Sequence, residues 1–169
     1  MNASSTASDD DGAVVHATQV FERRFDAAPA LVFAAWADAK QRAKWHFPGK
    51  DQFQRLGFEQ DFRVGGQLRS SFGAAQGPVL REEGWFLDIV DARRIVSAGT
   101  MHADEARISS TLCTVELWPN GRGTRVKLTD QSAFLAGRET PSDRKAGWGE
   151  VMERLEQFLR ARHGASKGA

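Results

Sequence analysis

The chain has 169 residues, 41% of them hydrophobic and 27% charged, and this composition is typical of one globular domain with a substantial core. Its 23 basic and 22 acidic residues give a formal net charge of +1, which provides no electrostatic basis for binding nucleic acid or an anionic membrane. The sequence contains neither the roughly 20 apolar residues of a membrane span nor a signal peptide, so we expect a cytoplasmic protein.

The N-terminal part of the chain predicts a tail, one strand and two short helices. Residues 1–13 are rich in Ser, Thr and Asp, a composition typical of a disordered tail. A first strand is predicted over residues 19–25. Proline suits the first turn of a helix, and a helix is therefore predicted over residues 29–36. A second helix is predicted from about Ala39 to Trp45, ending before Pro48.

Six further strands are predicted, because short apolar segments recur between turn signals as in an antiparallel meander. They span residues 51–58, 66–72, 79–90, 94–101, 107–118 and 124–131. The dipeptide Asn120-Gly121 is a strong hairpin signal, since both residue types tolerate a positive φ. Gly84 lies inside a predicted strand and indicates a bulge or a close approach of two backbones.

A long amphipathic helix is predicted to open after Pro141 and to end at Gly164. Its apolar residues recur at helical spacing and form one face, which contains Trp148, Val151, Met152, Leu155, Phe158 and Leu159. Such a stripe after a run of strands should lie across a sheet, and a curved sheet holding one helix often leaves a cavity. The predicted order is β-α-α-β6-α, an α+β fold with one domain over residues 14–163 and a flexible tail over 164–169.

Several local motifs along this framework resemble one family of proteins. They are residues 28–36, Trp45 near Pro48, residues 62–67, residues 84–91 with 94–96, residues 123–128, and Gly147-Trp148. Together they resemble, over about residues 18–160, the helix-grip fold of the START-like (SRPBCC) superfamily. Within it they resemble the family named after the C-terminal domain of the activator of the heat-shock-protein-90 ATPase. The resemblance implies a curved antiparallel sheet wrapped around the C-terminal helix, a cavity between them, and frequent homodimers.

The resemblance implies no single activity, because one fold supports many functions. The eukaryotic activator has a separate N-terminal domain that makes much of the chaperone contact. A chain of 169 residues leaves no room for that domain, which argues against a co-chaperone role. The family often has a second tryptophan after Trp45, whereas this chain has His46. A titratable group is therefore expected near the mouth of the cavity.

The candidate binding residues are large apolar side chains with a few polar anchors. The apolar candidates are Trp36, Trp45, Phe47, Trp85, Phe86, Phe134, Trp148 and Met152. The polar anchors are His46, Arg69 and Glu82, with Glu83 as the alternative to Glu82 because adjacent strand residues face opposite sides of a sheet. This combination predicts a pocket for a small, largely apolar molecule.

No catalytic residue, metal ligand or cofactor is predicted. The His, Cys and carboxylate residues lack metal-ligand spacing, and the sequence contains neither Gly-x-Ser-x-Gly nor a dinucleotide fingerprint. The one cysteine, Cys113, is interpreted as a small buried hydrophobe. Two alternatives remain open. One is an interaction module that modulates a chaperone; the other is a cavity enzyme of cyclase or hydrolase type, with His46 or a cavity Glu as acid/base.

Overall fold

The computed structural model describes residues 13–47, 53–135 and 137–165 of the protein, which form seven strands and three helices. The helices are α1 (Pro29–Ala37), α2 (Ala39–Trp45) and α3 (Pro141–Ala165). The strands are β1 (Val15–Phe25), β2 (Gln54–Gln60), β3 (Gln67–Gly73), β4 (Val79–Val90), β5 (Arg94–Ala103), β6 (Ala106–Asn120) and β7 (Gly123–Phe134). The strands form one antiparallel sheet in the order β1-β7-β6-β5-β4-β3-β2. The predicted element order and α+β fold class are therefore confirmed.

Most differences between predicted and observed elements lie at strand ends. Strand β1 begins at Val15 and not at residue 19, because its first residues pair with the end of β7, with Val15 opposite Phe134. This pairing supplies backbone hydrogen bonds that no local pattern reveals. Helix α3 continues through Gly164 to Ala165. Outside the described residues lie residues 1–12 of the tail predicted over 1–13, Pro48 after the predicted end of the second helix, residues 51–52 of the strand predicted over 51–58, and residues 166–169 of the predicted C-terminal tail.

The sheet is bent by irregularities in three of its strand pairs. The register shifts between Arg55 and Gly57 in the β2–β3 pair and between Phe86 and Asp88 in the β4–β5 pair. It shifts again between Met101 and His102 in the β5–β6 pair. A bulge bends its strand and increases the local twist. The result is a curved sheet with one face toward the helices.

Helix α3 lies across the inner face of the sheet and is held there by its apolar stripe. Met152 and Leu155 are fully buried and Leu159 is 6% exposed, in one cluster with sheet residues such as Val126 and Leu128. The helix-grip arrangement implied by the sequence is therefore present. None of the helices in the described part of the chain has the length and hydrophobicity needed to cross a bilayer.

The short helices α1 and α2 extend this core through two indole side chains that contact each other. The rings of Trp36 and Trp45 meet edge to face, with centroids 4.7 Å apart. Trp45 is fully buried, and its Nε1 donates a hydrogen bond of 3.0 Å to the Ala35 carbonyl. A buried indole whose N–H is already used inside the protein serves packing. Trp45 therefore anchors α2 against α1.

Two neighbouring strands approach closely at glycines near the middle of the sheet. Gly84 of β4 lies opposite Gly99 of β5. A Cβ atom at Gly99 would lie 2.4 Å from the Glu83 carbonyl oxygen, and one at Gly84 would lie 2.9 Å from that of Ala98. The close approach predicted for Gly84 is therefore confirmed. Both glycines line the space under α3, and their missing side chains help to keep it open.

Candidate functional site

A cavity of about 480 Å³ lies between the curved sheet, the α1–α2 pair and helix α3. Most of the strands contribute to its floor, and α3 contributes its roof with Trp148 and Val151. The apolar side chains on the sheet side include Leu68, Phe72, Phe86, Ile95, Ile108 and Val115. Leu68 and Phe72 point inward because alternate residues of a strand share a face, and Ile108 reaches the same side at the register shift of the β5–β6 pair. The cavity walls are therefore mainly apolar, with polar groups collected at two places.

The first polar group on the wall is formed by His46 and Glu82. The Nε2 atom of His46 lies 3.6 Å from Oε2 of Glu82, and the Ser70 hydroxyl donates to the same oxygen over 3.1 Å. His46 ends helix α2, and its position is maintained by Arg154 of α3. The Arg154 guanidinium donates to the backbone carbonyls of Trp45 and His46 over 3.0 and 3.4 Å. Helix α3 therefore helps to position the imidazole beside the carboxylate.

The protonation states of this pair follow from its surroundings. Burial lowers the pKa of His46, and the nearby Arg42 charge lowers it further, although Glu82 opposes both effects. Burial alone would raise the pKa of Glu82, but His46, the Arg42 guanidinium and the Ser70 hydroxyl together hold it well below its usual range. At neutral pH the pair is a neutral imidazole beside an ionised carboxylate. Such a pair can accept hydrogen bonds from a ligand or hold a proton.

We expect the free energy of unfolding to fall as the pH is lowered from 7.5 to 5.5. The reason is that the folded state lowers the pKa of His46, so that below about 6.5 the unfolded state binds the proton more readily. The stability contributed by neutral His46 is complete above that pH and is lost as the pH falls toward the folded pKa. Urea unfolding at several pH values should show a shallower loss in His46→Gln. The matched control is His102→Gln on β5, a residue that does not line the cavity. If the loss of unfolding free energy per pH unit is reduced equally in both variants, the assignment to His46 is contradicted.

Three buried nitrogen atoms at this end of the cavity have no hydrogen-bond partner among the residues that the structure describes. They are Nε1 of Trp36, Nε of Arg42 and Nδ1 of His46. All three residues line the cavity. A buried polar atom without a partner costs about 1–3 kcal/mol, and native proteins leave few such atoms unpaired. Each of the three nitrogens has almost no accessible surface, so they lie packed inside the wall and do not face the open space of the cavity.

The second polar group joins helix α3 to the sheet through Arg144. Its Nε donates to Oε1 of Glu139 over 2.6 Å, and one Nη donates to Oδ2 of Asp130 over 3.2 Å. The same Asp130 oxygen accepts from Nε1 of Trp148 over 2.8 Å. Three hydroxyls complete the shell of the guanidinium, namely those of Ser109, Thr111 and Ser132. The donors of Arg144 are therefore occupied within the protein, and we call this group the Arg144 clamp.

Cys113 lies on the cavity wall between the two polar groups. Burial raises the pKa of its thiol to about 12, and the Asp130 carboxylate adds to the shift. The thiolate is the reactive form of cysteine, so this side chain is a protonated and unreactive part of the wall at neutral pH. This state agrees with the interpretation of Cys113 as a small hydrophobe.

The structure brings only part of the predicted site together. Among the predicted residues, those that line the cavity are Trp36, His46, Glu82, Phe86 and Trp148. Buried in the core without lining the cavity are Trp45, Phe47, Phe134 and Met152. Arg69 and Trp85 lie on the outer face of the sheet, where Trp85 is 44% exposed. Their predicted placement was wrong, because their strand neighbours, such as Phe86, occupy the inward positions.

Sequence reasoning missed the polar residues Arg42, Asp130 and Arg144, although local patterns were available for Asp130 and Arg144. Asp130 follows Val126 and Leu128 at the strand period of two, which places a carboxylate on the buried face. Arg144 precedes Trp148 by one helical turn and shares its face. In both cases the signal was a charged residue at a position where the repeating pattern of the strand or helix places an apolar one. The hydroxyls that surround Arg144 come from distant strands and had no local signal.

Comparisons with known proteins agree with this architecture. A family model described as "Activator of Hsp90 ATPase homolog 1-like protein" matches residues 26–160. A solved structure from Rhizobium leguminosarum is 33% identical, with a TM-score of 0.84 over 89% of this chain and 98% of that chain. The Mll3558 protein from Rhizobium loti is 36% identical, with a TM-score of 0.79 over 86% and 99% of the two chains. The search of the curated proteins found no match.

The match with the family model covers both polar groups and all three helices up to residue 160 of α3. A third solved structure, protein CV1439 from Chromobacterium violaceum, is 26% identical and has a TM-score of 0.72, over 84% of this chain and 96% of that one. The resemblance inferred from the sequence motifs is therefore confirmed. The chain belongs to the Activator of Hsp90 ATPase homolog 1-like family and has its START-like helix-grip fold.

Proposed function

We propose that this protein binds one small, largely apolar molecule in the cavity between the sheet and helix α3. The observation that supports this proposal is the cavity itself, whose volume of about 480 Å³ lies within the range of about 300–1,000 Å³ found for small-molecule sites. Its walls are mainly apolar, with a few polar groups at defined positions. This combination is typical of sites in which apolar burial supplies affinity and polar groups fix orientation.

The driving force for binding is the removal of apolar surface from water. Burial contributes about 25 cal/mol for each Å² of apolar area, before the costs of association are subtracted. The roof over the cavity is held by the Arg144 clamp and by the buried stripe of α3. A preformed cavity avoids the entropic cost of ordering its walls when the ligand arrives. We therefore propose a binding protein whose site exists before its ligand does.

The experiment that tests this function compares native and denaturing mass spectra of the freshly purified protein. We expect additional mass in the native spectrum that disappears on denaturation, because a molecule held by burial is released when the fold is lost. A native spectrum without additional mass, together with no binding of added apolar probes in calorimetry, would contradict the proposal. The same spectrum measures the mass of the assembly and tests the predicted homodimer.

A further inference from the structure

The Glu82 carboxylate is an accessible hydrogen-bond acceptor on the cavity wall. Glu82 lines the cavity from β4, and 27% of its side chain is exposed. Its two polar neighbours, Ser70 and His46, both approach the same oxygen, Oε2. None of the described residues donates a hydrogen bond to Oε1, and this oxygen is not among the buried atoms that lack a partner. Since a carboxylate has about four acceptor positions, the exposed part of Glu82 can accept hydrogen bonds from a molecule in the cavity.

The floor of the cavity next to this carboxylate is open backbone. Gly84 follows Glu82 at the strand period of two, so it shares the inner face about 7 Å further along β4. Gly99 of β5 lies opposite Gly84, and both glycines line the cavity. Leu68 and Phe86 border this pair with apolar surface. An apolar body that lies over the two glycines therefore has the Glu82 carboxylate at one end.

A ligand in this space must supply a hydrogen-bond donor to the carboxylate that it covers. Covering Glu82 removes its exposed oxygen from water, and an ionised group that loses water without gaining a hydrogen bond is costly to bury. A purely apolar ligand incurs this cost, whereas a ligand with a donor at that end avoids it. Hydrogen bonds to an ionised acceptor are also about twice as strong as those between neutral groups. The cavity therefore favours a ligand that carries a donor beside Glu82.

The charges around the carboxylate favour a donor without net charge. Two guanidiniums lie at this end, since the charge of Arg42 acts on both Glu82 and His46, and Arg154 donates to the His46 carbonyl over 3.4 Å. Glu150 partly offsets Arg154 over 3.5 Å. A ligand cation beside Glu82 would meet two arginines as like charges, and a ligand anion there would meet Glu82 itself. A neutral donor avoids both repulsions and adds no charge to a mainly apolar space.

We propose that the ligand carries a neutral hydroxyl group on an otherwise apolar body, and that this hydroxyl donates a hydrogen bond to the Glu82 carboxylate. A hydroxyl meets both conditions, because it has one donor and no net charge. The apolar body then lies over Gly84 and Gly99, under Val151 of the roof. The proposal rests on the proposed function, since it assigns the polar end of the molecule bound in the same cavity. It identifies the ligand class as an apolar alcohol or phenol.

The test is a calorimetric titration at neutral pH with four naphthalene probes of similar size. They are 2-naphthol, its hydrocarbon isostere 2-methylnaphthalene, the anion 2-naphthoate and the cation 2-naphthylmethylammonium. Phenols ionise at about pH 10, so 2-naphthol is neutral here. We expect it to bind about tenfold or more tightly than each of the others, because it alone supplies a donor without a charge. The hydrocarbon is more hydrophobic, so burial alone would favour it. Equal or tighter binding of any of the other three probes overturns the proposal.

A pair of variants assigns the preference to Glu82. Glu82→Gln keeps the shape of the side chain and removes its charge, whereas Glu150→Gln makes the same change at a carboxylate of α3 that also lines the cavity. We expect the preference for 2-naphthol over 2-methylnaphthalene to fall about fivefold or more in Glu82→Gln and to stay at the wild-type value in Glu150→Gln. The readout is a ratio of two affinities, because general damage to the cavity weakens both probes alike. Circular dichroism shows whether both variants fold.

The outcomes separate this inference from the proposed function. Binding of all four probes without a preference for 2-naphthol contradicts the hydroxyl assignment alone. An equal change of preference in the two variants also contradicts it, because the change would then not come from Glu82. If Glu82→Gln does not fold, the probe series on the wild-type protein still decides the assignment. Failure of every probe to bind the wild-type protein contradicts both proposals.

Discussion

Arg144→Met should lower the free energy of unfolding by about 3–5 kcal/mol, the usual cost of removing one partner of a buried ion pair. The substitution keeps an unbranched side chain of similar length but removes every donor of the guanidinium. Asp130, whose side chain is 1% exposed, would remain as a buried carboxylate, and its hydrogen-bond partners among the described residues would be Trp148 and Ser132. Glu139, 15% exposed, would lose its cation as well. The measurement is equilibrium urea unfolding followed by circular dichroism.

The matched control for this prediction lies on the same helix. Arg160 pairs with Glu156 one turn earlier, but its side chain is 73% exposed. Exposed pairs of this kind contribute about 0.3–0.5 kcal/mol to stability. The free energy of unfolding of Arg160→Met should therefore stay within about 0.5 kcal/mol of the wild-type value. A similar small effect in Arg144→Met would show that the clamp does not hold α3 on the sheet.

Val151→Trp should weaken the binding of an apolar probe by about 70-fold, because the indole occupies the space under α3. Val151 lines the roof of the cavity and is only partly buried, so the larger ring can extend into open volume and not into packed core. Loss of about 100 Å² of apolar contact is worth about 2.5 kcal/mol, which gives this change in Kd. Calorimetric titration with the apolar hydrocarbon 2-isopropenylnaphthalene measures the change in Kd.

The control for the cavity variant is Glu153→Trp, which adds the same ring to an exposed position of α3. We expect it to bind the probe as the wild-type protein does. The free energy of unfolding of both variants should lie within about 1.5 kcal/mol of the wild-type value, since neither forces a side chain into a filled space. Unchanged probe affinity in a folded Val151→Trp protein would place the binding site outside this cavity.

The architecture of this protein was predictable from short-range patterns. The apolar stripe of α3 repeats at helical spacing, and the strands between β2 and β7 show as apolar segments separated by turns. Asn120-Gly121 marked the hairpin that joins β6 to β7, where Gly121 has a φ of 60°. Gly84 marked the close approach to Gly99. These features depend on neighbours along the chain, so the sequence carries them directly.

The candidate site was only partly predictable from the sequence. It depends on which face of the sheet each side chain occupies and on contacts between residues far apart in the chain. Trp85 and Phe86 are adjacent and equally aromatic, yet only Phe86 faces the cavity. A shift of one residue in register exchanges the two faces of a strand, and composition does not determine which face a residue occupies. For the same reason the choice between Glu82 and Glu83 stayed open until the pairing of β4 was known.

By itself, the sequence determined the elements and their order, because periodicity and turn chemistry are local properties of the chain, and the resemblance of its motifs indicated the family. Only the tertiary structure decided that His46 lies beside Glu82 and that Arg144 joins α3 to Asp130. These relations join residues from different elements. Their distances are set by the curvature of the sheet and the placement of α3, to which every packed side chain of the core contributes.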